Sequence, residues 1–175
     1  GGKLLYSSDK SGIFNVYEVD LNTDKETQVT SSTEESYFAQ GYSPLTGEIV
    51  YSADKGGNEN SHLYLIREGK SIDLTPGEKT KASLLGWTQN EKQMYFQSNA
   101  RNPKYFDLYK IDIETLANRV EDIPLLTNYF IKKIFKTYNI KEFDLNENMD
   151  YLLSYNWPGN VRELRNLVER IAILS

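Results

Sequence analysis

No cysteine occurs among the 175 residues, which excludes disulfides and thiolate metal sites. Histidine is nearly absent too, so any imidazole chemistry would have to use His62. No Gly-x-x-x-x-Gly-Lys-[Ser/Thr] phosphate loop exists, and no Gly-x-Ser-x-Gly nucleophile elbow. The nearest approach to the elbow, Gly41-Tyr42-Ser43-Pro44-Leu45, lacks the second glycine. No apolar run approaches the ~18 residues that a membrane span needs. Gly1-Gly2-Lys3 leads straight into a strand-like stretch without a signal-peptide pattern, and a cytoplasmic setting off the membrane is the expectation. A basic surplus is also missing. Residues 1–117 hold 12 Lys/Arg against 17 Asp/Glu, and residues 118–175 hold 8 against 8. Neither stretch favours nucleic acid through phosphate neutralisation, so no nucleic-acid partner is expected.

What is present, first, is a repeat. Tyr6, Tyr51 and Phe96 stand 45 residues apart, each inside a short β-rich run: Leu4-Leu5-Tyr6, Ile49-Val50-Tyr51 and Met94-Tyr95-Phe96. Polar turns rich in Gly, Asn and Asp follow each run, supplying the backbone angles of a tight reversal. Alternating strands come next, at Phe14–Val19, His62–Ile66 and Phe106–Ile111. Third strands end at Val29-Thr30 and Leu74-Thr75, and fourth strands are expected around Tyr37-Phe38-Ala39 and Ser83–Trp87. Four strands and a turn per 40–50 residues is the pattern of a β-propeller blade. Residues 1–117 hold roughly 2.6 such units, fewer than the four or more blades of a closed propeller. An arc of that kind leaves strand edges unpaired, so self-association or a protein partner at an open edge is expected.

Leu74-Thr75-Pro76-Gly77, Gly86-Trp87 and the run from Ser98 through Arg101, Pro103 and Phe106-Asp107-Leu108-Tyr109 resemble the propeller of prolyl-oligopeptidase-type serine peptidases. In that family the propeller caps an α/β-hydrolase domain and restricts access to it. With one histidine and no elbow, no catalytic residue is assigned.

Beyond residue 117 the apolar period changes from two to about 3.6. Ile123, Leu126, Phe130, Ile134 and Thr137-Tyr138 predict one helix, with Pro124 in its first turn. Asn148 to Tyr155 predicts a second, whose apolar face is Met149, Leu152 and Leu153. After the turn Trp157-Pro158-Gly159, Asn160 is placed to cap a third helix, with Glu163 completing an Asn-x-x-Glu capping box. Val161, Leu164, Leu167-Val168, Ile171 and Leu174 form its apolar stripe. The expected fold class is therefore segregated α+β: antiparallel propeller-type blades over 1–117, then a three-helix subdomain over 118–175.

The run Arg119–Leu126, then Tyr129-Phe130, then Tyr155–Asn166 with its Trp-Pro-Gly-Asn-Val-Arg-Glu-Leu octet, closely resembles the helical lid of NtrC-type AAA+ activators of σ54 RNA polymerase. The resemblance implies that Arg162 corresponds to the sensor-2 arginine, which touches nucleotide phosphates. A guanidinium in a helix's first turn, beside orphan N–H donors, suits an anion. ATP as cofactor would need the αβ core of such an ATPase, which supplies the phosphate loop and Mg²⁺ ligands. Without that core Arg162 reads as a solvated or ion-paired surface residue, and no cofactor or metal is expected. The join at Ile113–Arg119 has no Gly/Ser/Pro linker. Two unrelated partial domains joined directly read as a chimera without a self-contained catalytic site. A protein-binding module built on the blades and a nucleotide-linked regulator built on the lid are the alternatives.

Overall fold

The computed structural model describes residues 2–138 and 143–174. The chain is mixed α and β, with three antiparallel sheets followed by helices. It divides into two compact units: residues 1–43 with 48–111, and residues 44–47 with 112–175.

The first unit is built from β1 (Lys3–Ser8), β2 (Asn15–Asp20), β3 (Lys25–Gln28), β4 (Tyr37–Tyr42), β5 (Ile49–Ala53), β6 (His62–Arg67), β7 (Lys70–Asp73), β8 (Ala82–Trp87), β9 (Gln93–Asn102) and β10 (Tyr105–Asp112). The sheets run β1-β2-β3, β4-β5-β6-β7 and β8-β9-β10. The strand expected to close each repeat opens the next sheet instead. β4 pairs with β5, and β8 with β9. Sequence periodicity fixes the spacing of strands and leaves their grouping free, because a strand 45 residues on repeats the pattern whichever neighbour it joins.

The repeat is physical as well as textual. A stacked ring pair crosses each sheet: Tyr6 on Tyr17 at 5.7 Å, Tyr51 on Tyr64 at 5.1 Å and Phe96 on Tyr109 at 5.5 Å. Such pairs contribute roughly 0.5–1.5 kcal/mol each beyond their burial. Buried Thr30 and Thr75 perform the same task 45 residues apart, their hydroxyls accepting from the Val16 and Leu63 amides at 2.8 and 2.9 Å. β-bulges fall between Ala39 and Gly41 and again between Leu84 and Gly86. Successive sheets are joined at strand starts, where the Tyr37 amide donates to Phe14 O and the Ala82 amide to Ser61 O, both at 2.8 Å. Between the first two sheets lies a core of Val16, Tyr51 and Ala53, flanked by Leu5, Tyr37 and Tyr64.

The second unit carries a 3₁₀ turn at Leu116–Asn118, α1 (Asp122–Tyr138), a further 3₁₀ turn at Asn146–Asn148, α2 (Met149–Ser154) and α3 (Asn160–Leu174). Its core gathers Leu116, Ile123, Leu126, Phe130, Ile134, Leu152, Trp157, Val161, Leu164 and Val168. The α1 stripe ends one turn earlier than its sequence pattern, since Thr137 and Tyr138 are exposed. Likewise α3 ends its buried stripe at Ala172, and Leu174 is exposed. Among the described residues no helix is long and apolar enough to cross a membrane.

Candidate functional site

The segment before α3 decides how the helical unit is assembled. Trp157 and Asn160 both take left-handed backbone angles, φ 46° and 53°. Trp157 is buried and its indole N–H donates to Leu152 O at 2.8 Å, fastening the turn to the end of α2. Asn160 is fully buried, and its Oδ1 accepts from the amides of Val161 and Leu116, each at 2.9 Å. This differs from the capping box expected of Asn160 and Glu163. The Glu163 amide bonds to Gly159 O at 3.1 Å, and the Glu163 carboxylate reaches back to the Gly159 amide at 2.9 Å. The capping pair is thus Gly159 and Glu163. Asn160, freed from that task, ties the chain entering the helical unit to the start of its last helix. Asparagine suits this because it tolerates the left-handed region better than other non-glycine residues.

A groove of about 800 Å³ opens between α2 and α3. Its walls include Tyr151, Tyr155, Trp157, Arg162, Glu163, Asn166 and Arg170. Arg162, Asn166 and Arg170 recur at intervals of four, which puts them on neighbouring turns of one helix flank. Arg162 lies in the first turn of α3 and is exposed, and its Nη2 donates to Pro44 O at 2.8 Å within the second unit. Glu163 is committed to the helix start, where it also accepts from the Tyr155 hydroxyl at 3.1 Å and holds that phenol above its ordinary range. Two guanidinium groups therefore stand on a groove whose nearest carboxylate is engaged in capping. Such an arrangement suits an anionic or planar polar group. Arg119 is spent elsewhere, buried with its Nη1 on Asp122 at 3.2 Å in the approach to α1.

Residues 117–175 match the AAA+ ATPase lid domain. The lid segment thus begins in the 3₁₀ turn and takes in all three helices. An NtrX-like response regulator of Rickettsia typhi is 38% identical over 121 residues, 65% of this chain and 25% of that protein. The transcriptional regulatory protein XylR of Pseudomonas putida is 32% identical over 120 residues, 65% of this chain and 21% of its own length. The nitrogen assimilation regulatory protein NtrX of Azorhizobium caulinodans is 47% identical over 66 residues, 37% of this chain and 14% of its own length. The first two alignments are longer than the lid segment, and the third is close to its length. The chain spans a quarter or less of these curated relatives.

Sequence reasoning singled out Arg162 and missed Arg170 and Asn166. Their spacing from Arg162 was the available signal. In the sheet unit, His62 sits at the start of β6. Its Nδ1 lies 2.7 Å from Asp73 Oδ2 and its Nε2 2.9 Å from Gly77 O. Both ring nitrogens are therefore held by β7 and the turn after it, and neither faces a serine hydroxyl. Among the described residues no group of three or more His, Asp or Glu side chains is placed to hold a metal ion.

Proposed function

We propose that the lid segment serves as the nucleotide-facing lid of an AAA+ ATPase in a σ54-activator-type regulator, with Arg162 as the phosphate contact. The observation carrying this is the match over residues 117–175, together with Arg162 in the first turn of α3 on a groove shared with Arg170. A helix start offers unpaired N–H donors and a partial positive charge, and an arginine there adds a two-pronged donor for phosphate oxygens. Arg162 supplies charge and orientation only. The Mg²⁺ ligands and phosphate cradle belong to an ATPase core. ATP is the cofactor on this reading when such a core is joined to the lid.

The finer reading of residues 1–117 is a partial β-propeller of the prolyl-oligopeptidase type, joined to the lid segment as a chimera. The recurrence of bulges and buried threonines at 45 residues, and of stacked ring pairs at 45 to 47, supports the propeller part. No catalytic residue is assigned to it.

The reading predicts that the chain alone has no complete nucleotide site. In a Trp87→Phe background, Mg·ATP titrated while Trp157 fluorescence is followed should give no saturable change. A saturable change would establish a self-sufficient site and overturn the requirement for a core.

A further inference from the structure

His62, buried at the start of β6, has an oxygen acceptor at each ring nitrogen. Asp73 Oδ2 stands 2.7 Å from Nδ1, and Gly77 O stands 2.9 Å from Nε2. Both acceptors belong to the segment that leads from β7 to β8. The Thr75 amide donates to Asp73 Oδ1 at 2.9 Å, and the Thr80 amide donates to Gly77 O at 3.1 Å. A neutral imidazole carries one N–H and can donate to only one of two acceptors, whereas an imidazolium donates from both nitrogens. The full set of bonds therefore needs one proton more than a neutral ring beside an ionised carboxylate holds.

The repeat shows what the contact is for. Moving back 45 residues turns Gly77 into Ser32, and Ser32 O is also held at 2.9 Å, by Nδ2 of the fully buried Asn15. Asn15 Oδ1 accepts from the Ser32 amide at 2.8 Å and from the Thr30 hydroxyl at 3.0 Å. The passage from the first sheet to the second is thus fastened by a carboxamide, which donates and accepts at any pH. Asn60 stands where Asn15 would recur, and its Nδ2 reaches Glu78 O instead, at 3.3 Å. In the passage from the second sheet to the third, that carbonyl is held by a histidine, the residue type whose charge changes near neutral pH.

The other ionisable groups around the ring are engaged or turned to solvent. Tyr64 stacks on it with ring centres 6.2 Å apart and keeps its own proton to about 12. Tyr37, Tyr51 and Glu35 act on Tyr64 from the β4 and β5 side. β5 itself sets Ala53 opposite His62, and the neighbouring Asp54 accepts from the Glu59 amide at 2.8 Å. Glu59 pairs with Lys81 at 3.5 Å, and Glu78 and Lys79 are exposed on the turn.

We infer that His62 and Asp73 form a proton-operated latch. With both ring nitrogens protonated, the segment between β7 and β8 is tied to β6 at Asp73 and at Gly77. Loss of one proton releases one of the two ties and loosens the passage into the third sheet.

Nuclear magnetic resonance of the full chain tests this, and a single histidine makes the ring signals unambiguous. Long-range ¹⁵N–¹H spectra from about pH 5 to 9 count the ring N–H protons across the range in which histidine changes charge. Two are expected at the low end and one at the high end. Amide-exchange protection at Thr75 and Thr80 should fall at least about tenfold at the ring's own midpoint, the scale of one charge-assisted bond. Asp73→Asn keeps an acceptor for the Thr75 amide and offers an N–H to a neutral Nδ1, leaving the Nε2 proton for Gly77 O. In that variant protection should no longer fall as the ring loses its proton. A ring with the same number of N–H protons at both ends of the range would overturn the inference. So would protection that stays level while the ring titrates, or an equal fall in Asp73→Asn.

Discussion

Asn160 is the residue on which the helical unit turns. Its Oδ1 is the acceptor for two buried amides, those of Leu116 and Val161, from a left-handed position. Replacing it by alanine removes the acceptor and places a Cβ where only glycine and short polar residues are comfortable. We expect Asn160→Ala to destabilise the helical unit by about 3 kcal/mol, from buried donors left unpaired plus backbone strain. Asn160→Gly should cost less, because it keeps the backbone angle and loses only the acceptor. Urea unfolding followed at 222 nm measures both. The tyrosines of the second sheet allow a pH test. Burial raises Tyr51 above its ordinary value of 10.0 and raises Tyr64 to about 12. An unfolded tyrosine loses its proton near 10, whereas Tyr64 in the folded sheet keeps it to about 12. Its contribution is complete below pH 10 and lost as the pH rises through about 12. Alkaline unfolding of the sheet unit should therefore accompany tyrosinate absorbance at 295 nm, and Tyr64→Phe should shift it to higher pH.

At the scale of elements, the glycines of the bulges hold the sheets in shape. Gly41 has φ 140° and Gly86 φ 154°, and a Cβ added at either would meet nothing within 4 Å. The constraint is backbone conformation alone. Gly41→Ala should cost about 1–3 kcal/mol, the usual penalty for a non-glycine residue in that region, read as a lower thermal midpoint. Much at this scale was legible beforehand. The period-two runs became β1, β2, β5, β6, β9 and β10, and the 3.6-residue stripes became α1 and α3, because each pattern reports which side of an element is buried. Strand grouping was not legible, since β4 and β8 have the same alternation whether they close one sheet or open the next. The cap of α3 falls one residue earlier than the sequence spacing implies, on Gly159. Asn160 and Glu163 satisfy the spacing of a capping box, but a second acceptor task for Asn160, toward Leu116 44 positions away, has no local signature. The groove was legible only in Arg162. Arg170 and Asn166 join it through helix geometry that becomes meaningful once α2 is known to form the opposite wall.

For the whole molecule, each unit holds an apolar cluster of its own, around Val16, Tyr51 and Ala53 in one and around Leu116, Ile123 and Leu164 in the other. Calorimetry should resolve two transitions, with Asn160→Ala moving one and Gly41→Ala the other. A single transition moved by both substitutions would show that the units unfold together. The proposed role of the helical unit, a nucleotide-facing lid acting through Arg162, can be tested by transplantation. Residues 117–175 would replace the lid of an NtrX-type regulator, and steady-state ATP hydrolysis of the hybrid would be measured with Arg162 intact and with Arg162→Ala. Hydrolysis is expected with the intact segment, and a loss of at least about tenfold with Arg162→Ala, the scale on which a phosphate-clamping charge acts, at unchanged helicity. A folded hybrid that hydrolyses ATP equally well with alanine at position 162 would contradict it.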